Sequence, residues 1–167
     1  TVSGRYDGAS QLAAGHKWVF FPSAALGWRI DQEEFMKDID WVSQLKLRVG
    51  VGTTGNESVT AYGTLGNIQS FFVPFGGILT QAYATNEPYY TNNSVGMANK
   101  ELTWEKTTQW NYGVDFGFLD GRINGALDIY HSRTTDVLMN MKIPTLTGFP
   151  NMMANIGETK SYGFDLT

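Results

Sequence analysis

The chain has 167 residues, 42% hydrophobic, 14% aromatic and 17% charged, the last well under the roughly 25% usual in soluble domains. Its net charge of −4 comes without any block of Lys and Arg, which argues against a nucleic-acid partner held by phosphate neutralisation. There is no cysteine, excluding a disulfide framework and a thiolate zinc site, and no run of about 18 apolar residues, excluding a transmembrane helix.

One domain over residues 1–167 is expected at this length. Residues 1–8 alternate Val2, Gly4 and Tyr6 against Ser3, Arg5 and Asp7, as a strand does, and 9–17 read as a polar, glycine-containing connection. Residues 18–30 then set Trp18, Phe20, Pro22, Ala24, Leu26, Trp28 and Ile30 on one face, expected to meet lipid. Trp18 and Trp28 stand about 25 Å apart along a membrane normal, at roughly 3.3 Å per residue and a tilt near 40°, which is the height of a barrel's apolar band. Two core tryptophans of a sandwich would read the same way, and Pro22 is awkward within any strand because it removes a ladder donor.

Residues 31–44 have helical spacing, with Phe35, Met36, Ile39, Trp41 and Val42 apolar and Asp31 placed to cap ahead of Glu33 and Glu34; a short helix is expected there. Residues 45–53 set Leu45, Leu47, Val49 and Val51 against Lys46, Arg48, Gly50 and Gly52. On a lipid face Lys46 and Arg48 would cost roughly 2 to 4 kcal/mol each near the midplane, so they are expected to face a lumen or an interface. Residues 54–100 read as one long irregular loop rich in Gly, Asn, Thr and Tyr, with an apolar cluster from Phe71 to Phe75. Tyr83, Tyr89 and Tyr90 in it suit stacking on a ligand, although such tyrosines more often pack a loop on itself.

Residues 101–136 hold two long alternating runs joined at Asp120-Gly121, a strong hairpin signal because a type I′ turn needs φ > 0 at both central residues. With Leu119 opposite Arg122, one face pairs Phe118 with Ile123, Phe116 with Gly125, Val114 with Leu127, Tyr112 with Ile129 and Trp110 with His131. The other face carries Asn111, Asp115, Asn124 and Asp128, expected to line a lumen with Lys46 and Arg48. Each arm keeps its pattern for roughly 12 to 16 residues, whereas globular strands run about 5 or 6 and membrane-spanning strands need about 9 to 11. Phe116 and Phe118 near the turn, with Trp110 and Tyr112 at the far end, occupy the places of two aromatic girdles.

Residues 137–158 read as a second long, Met-containing connection, and 159–167 resume alternation with Tyr162, Phe164 and Leu166 opposite Gly163 and Asp165. Long connections therefore alternate with short ones, the pattern of a barrel with long extracellular loops and short periplasmic turns. The expected fold is all-β: an antiparallel transmembrane barrel segment of about six strands with one short helix in a periplasmic connection.

Catalysis and cofactors find little footing. Asp115 and Asp128 lie close across the hairpin as an acid/base pair would, but carboxylates in a water-filled lumen are ordinarily solvated. His16 and His131, the two histidines, lack metal-ligand spacing, and Gly50 and Gly52 lack the strand, turn and helix context of a nucleotide loop. No catalytic, metal or cofactor residue is assigned.

Several phrases in order resemble the barrel of SusC/RagA-type TonB-linked outer-membrane transporters of Bacteroidetes: GRYDGAS, WVFFPSAALGWRI with DQEEFM, LKLRVGVGTTGN, LTWEKTTQWNYGVDFGF, RINGALDIYHSRTTDVL, PTLTGF and NIGETKSYGFDLT. The resemblance covers nearly the whole chain except about residues 57–98. It implies a barrel of about 22 strands with a plug, set in outer-membrane lipid, coupled to TonB, lidded by a SusD-like lipoprotein and importing oligosaccharides or peptides. The sequence shows no plug, TonB-binding segment, signal peptide or closing strand, so it reads as an excised piece of such a barrel, to be completed by the rest of barrel and plug. A soluble glycan-binding β-sandwich, or a surface adhesin module, is the competing reading, with strands of about 5 or 6 residues and frequent turn signals.

Overall fold

The structure is a computed structural model that describes residues 1–59, 64, 69–84, 96–147, 149 and 151–167. Its strands are β1 (Val2–Gly8), β2 (Trp18–Arg29), β3 (Val42–Asn56), β4 (Gln69–Phe75), β5 (Ile78–Ala84), β6 (Glu105–Phe118), β7 (Ile123–Thr135), β8 (Leu138–Lys142), β9 (Asn151–Asn155) and β10 (Glu158–Leu166). Six of them form one antiparallel sheet in the order β1-β2-β3-β6-β7-β10, and β4-β5 and β8-β9 are separate hairpins. Among the described residues β1 and β10 do not pair with each other, so the sheet is open.

The β6-β7 register is the one that the Asp-Gly turn dictates, from Phe118 opposite Ile123 through Val114 opposite Leu127 to Trp110 opposite His131. Asp120 and Gly121 have φ of 56° and 79°, and the Arg122 N–H donates to the Leu119 carbonyl at 3.2 Å. The left-handed run begins one residue earlier than expected, at Leu119 with φ 54°; its N–H is held by the Trp41 carbonyl of the neighbouring turn at 3.0 Å.

Pro22 is accommodated because it stands where a ladder ends. β2 pairs with β3 from Arg29 up to Ser23 and no further, while β3 continues on β6 as far as Asn56. Beyond Pro22, β2 pairs only with β1, so the missing N–H leaves no partner unsatisfied on the β3 side.

Three expectations for the connections are corrected. Residues 31–44 do not form the expected helix: two single 3-10 turns, Ile30–Gln32 and Glu34–Met36, bridge β2 and β3. Asp31, expected as a cap, instead accepts hydrogen bonds from the Arg29 guanidinium at 2.7 Å and the Leu45 N–H at 3.3 Å, which pulls the chain straight into β3. The stretch 54–100 is not wholly irregular, since it contains the β4-β5 hairpin turned by Gly76 and Gly77 at φ 61° and 81°. Likewise 137–158 holds the β8-β9 hairpin, with Met141 opposite Met152.

The buried core lies at the long-connection end of the sheet, not on its broad apolar face. Leu12, from a segment expected to be polar, is 1% exposed and Leu102 fully buried; they cluster with Ala9, Phe21, Val59 and Trp104, and Val19, Leu138 and Met153 pack around them. The Trp104 indole N–H donates to the Lys17 carbonyl at 3.0 Å, and its ring meets Phe21 edge-on. Asn155 ties the layer together: its amide donates to the Thr103 and Asp136 carbonyls, both at 2.9 Å, and accepts from the Thr103 N–H.

Candidate functional site

Period-two alternation carried through one continuous register sorts the six-stranded sheet into two faces of opposite chemistry. One face carries Val2 and Tyr6 on β1, Trp18, Phe20, Pro22, Ala24, Leu26 and Trp28 on β2, and Leu45, Leu47, Val49 and Val51 on β3. It continues through Trp110, Tyr112, Val114, Phe116 and Phe118 on β6, Ile123, Leu127, Ile129 and His131 on β7, and Tyr162, Phe164 and Leu166 on β10. None of these positions is Asp, Glu, Lys or Arg. Leu26, Trp18 and Phe164 are 73%, 62% and 73% exposed, whereas Phe21 on the opposite face is 4% exposed. Among the described residues no second sheet covers this surface.

Aromatic rings gather at both ends of the apolar face. At the short-turn end Trp41 stacks on Phe118 at 5.4 Å and Phe118 on Phe116 at 5.6 Å. There the Trp28 indole N–H donates to the Glu33 carboxylate at 2.8 Å, its ring apolar and its polar edge turned toward the charged turn. At the other end Tyr6 stacks on Trp18 at 5.3 Å and Trp110 on Tyr112 at 6.3 Å.

The opposite face brings together every residue expected on the polar side. Lys46 is opposite Asp115, Arg48 opposite Gly113, and Gly113 opposite Asp128; Asn111 is opposite Gly50, and Asn124 opposite Gly117. The Arg48 guanidinium engages both Asp115 oxygens through Nε at 3.1 and 3.0 Å and one through Nη2 at 2.8 Å, and reaches Asp128 at 3.0 Å. Asp115 and Asp128 are thereby committed to one cation and do not form an acid/base pair with each other. Gln109 donates to the Asn111 side-chain oxygen at 3.0 Å, and Thr107 and Thr134 share a hydrogen bond of 2.8 Å.

Gly113 is the residue that sequence reasoning passed over. A Cβ there would stand 2.5 Å from an Asp128 oxygen and 2.7 Å from the Arg48 guanidinium carbon, so the cation crosses β6 only because this position is bare. The signal was present as a glycine on the polar face between two charged positions. Of the three loop tyrosines, Tyr83 lies in β5 opposite Ser70, and Tyr89 and Tyr90 fall outside the described residues.

At the short-turn end, the Arg29 hydrogen bond holds the Asp31 carboxyl below the usual carboxylate range, against the desolvation of a side chain only 8% exposed; the Leu45 N–H assists.

A family model described as TonB dependent receptor-like, beta-barrel, matches residues 1–167. TonB-dependent receptor SusC of Bacteroides thetaiotaomicron is 40% identical across the whole chain, and TonB-dependent receptor P39 of Formosa agariphila is 35% identical across the whole chain. The chain spans 16% of the first relative's length and 15% of the second's. Among solved structures, the RagAB peptide importer in its closed-closed state superposes with a TM-score of 0.80 at 25% identity, over 99% of this chain and 17% of that one. The RagAB peptide transporter gives 0.78 at 26% identity with the same coverage. The open six-stranded sheet with its two contrasting faces is thus one piece of a barrel wall of the SusC/RagA type, and the chain belongs to the TonB-dependent receptor-like β-barrel family.

Proposed function

We propose that this chain forms part of the wall of an outer-membrane barrel that imports nutrients with energy relayed through TonB. The carrying observation is the apolar band on one face of the sheet: it crosses all six strands without a charge, flanked at both ends by stacked aromatics, and Lys106, Arg133, Glu158 and Lys160 follow on the same face only beyond the Trp110, His131 and Tyr162 row. In water such a surface drives association, because it far exceeds the patches that soluble proteins expose. Against lipid it is at rest, with Trp18, Trp110 and Tyr112 at one interface and Trp28, Phe116 and Phe118 at the other. Lys46, Arg48, Asn111, Asp115, Asn124 and Asp128 then line the lumen, and the long connections lie outside the cell.

The substrate in this reading is an oligosaccharide or a peptide, admitted beneath a SusD-like lipoprotein lid; the peptide alternative draws support from the RagAB relatives, which are peptide transporters by name. The lumen network serves structure and passage, not bond chemistry, since Arg48 occupies both aspartates. The test is uptake of labelled oligosaccharides and peptides by cells carrying the complete barrel. Uptake of one class, abolished by collapsing the proton-motive force or deleting TonB, is expected. Folding of the complete protein as a detergent-free monomer would overturn the reading in favour of a soluble sandwich.

A further inference from the structure

Apart from the lumen network, the long-connection end holds a cavity of about 460 Å³. Its apolar lining includes Leu12 and Ala13, both buried, and Leu12 is backed by the core cluster of Phe21, Leu102 and Trp104. Ser10, Lys17, Thr64 and Lys100 supply the polar lining, and among the described residues no carboxylate belongs to it. Both lysines stand on fixed backbone. The Lys17 carbonyl accepts from the Ala9 N–H at 2.9 Å and from the Trp104 indole N–H at 3.0 Å, and within the loop so closed the His16 N–H donates to the Ala13 carbonyl at 3.0 Å. Lys100 lies in a turn where the Asn99 side-chain oxygen accepts from the Glu101 N–H at 2.9 Å, while the Asn99 amide donates to the Met153 carbonyl at 2.9 Å. Among the described residues neither ammonium joins an ion pair, unlike Arg48, Arg133 and Lys160. Thr64 is 5% exposed, and its hydroxyl reaches the Gln11 carbonyl only at 3.5 Å, the outer limit of a hydrogen bond. A buried hydroxyl held so weakly has capacity left for a ligand.

We propose that this cavity takes the carboxylate end of a peptide whose last side chain is aliphatic. The inference rests on the import reading above and deepens it by naming what the cargo presents. Two ammoniums at one cavity with no carboxylate in its lining favour an anion, and a carboxylate there accepts charge-assisted hydrogen bonds from both. The apolar lining decides which carboxylate. Leu12 and Ala13 offer no partner to the hydroxyls of an acidic sugar, which would lose water without compensation, whereas an aliphatic side chain is stabilised by leaving water there. The volume falls within the roughly 300 to 1,000 Å³ of small-ligand sites, room for the end of a chain and not for a folded partner. With the long connections outside the cell, the cavity meets the cargo before the lumen does.

The complete barrel in detergent is titrated with an amino-terminally labelled pentapeptide ending in leucine, once with a free carboxylate and once amidated, and binding is read by fluorescence anisotropy. Wild type and Lys142→Gln, which removes a cation in β8 outside the cavity lining, should prefer the free acid by about 20- to 30-fold, at roughly fivefold for each partly exposed ion pair. Lys17→Gln with Lys100→Gln should bind the two forms alike while keeping the wild-type unfolding midpoint. Lys100→Gln alone, at an exposed turn position, should lose about fivefold of the preference and reads the same contact with the core untouched. Equal binding of the two forms by wild type, or an undiminished preference in both variants, overturns the proposal. A uronate disaccharide that displaces the labelled acid as well as the unlabelled peptide does overturns it in favour of acidic sugars. TonB-dependent uptake by intact cells tests the import reading separately, so either of these failures leaves that reading standing.

Discussion

Arg48 and Asp128 belong to strands that are not neighbours, yet their side chains meet at 3.0 Å across the bare backbone of Gly113. The same guanidinium holds Asp115 on the intervening strand, so one cation clasps β3, β6 and β7 on the polar face. Charge neutralisation there depends on an absent side chain as much as on the ions.

That dependence predicts a coupled pair. Arg48→Ala should cost about 1 to 2 kcal/mol of unfolding free energy, since partly exposed ion pairs contribute up to roughly 1 kcal/mol each. Gly113→Val should cost at least as much, because the added carbons occupy the guanidinium's path. The double variant should cost less than the two separately, as residues sharing one network are not additive. Urea unfolding of the complete barrel in detergent measures all three; strict additivity would disconnect Gly113 from the network.

A charge placed on either face should report which one meets lipid. Leu127→Arg should destabilise the barrel in phospholipid vesicles by about 2 to 4 kcal/mol, and Ser132→Arg on the opposite face by less than about 1 kcal/mol. Equilibrium unfolding from vesicles of defined composition gives the comparison, and equal costs would contradict the assignment of the faces.

The long-connection end should behave as a cooperative unit. Phe21→Ala removes the ring that Trp104 meets edge-on, and should cost about 3 to 5 kcal/mol locally. Amide exchange at Leu12 and Leu102 should accelerate strongly while exchange in the β6-β7 ladder stays slow. Loss of protection in both regions together would mean that this core is not separable from the wall.

Acid should loosen the short-turn end. The Asp31 carboxyl titrates below its unfolded value, so its contribution is complete above the ordinary carboxylate range near 4 and fades as pH falls through the depressed value. Asp31→Asn should therefore destabilise at neutral pH, with the gap from wild type closing under strongly acidic conditions. A pH series of unfolding midpoints for the two proteins decides it.

Much of the wall was legible without coordinates. Asp120-Gly121 with alternation on both sides specified every pair from Phe118 opposite Ile123 to Trp110 opposite His131, because a tight turn sets the register and period two carries it along both arms. The contrasting faces of β2, β3 and β10 were readable on the same ground, as were the positions of Lys46, Arg48, Asp115 and Asp128. These are local properties: each depends on neighbours a few residues away or across one turn.

Where distant segments compete for the same partners, only the tertiary structure decided. Spacing over 31–44 favoured a helix, but Asp31 is claimed by Arg29 and by Leu45 from the next strand. Leu12 sits in a stretch of loop composition, yet it is buried because Leu102, Trp104 and Val59 arrive above β2 from far along the chain. Gly113 reads as a weak strand residue until Arg48 and Asp128 close over it. Alternation tells which way a side chain points; what it meets there depends on long-range packing, and no short-range pattern encodes that.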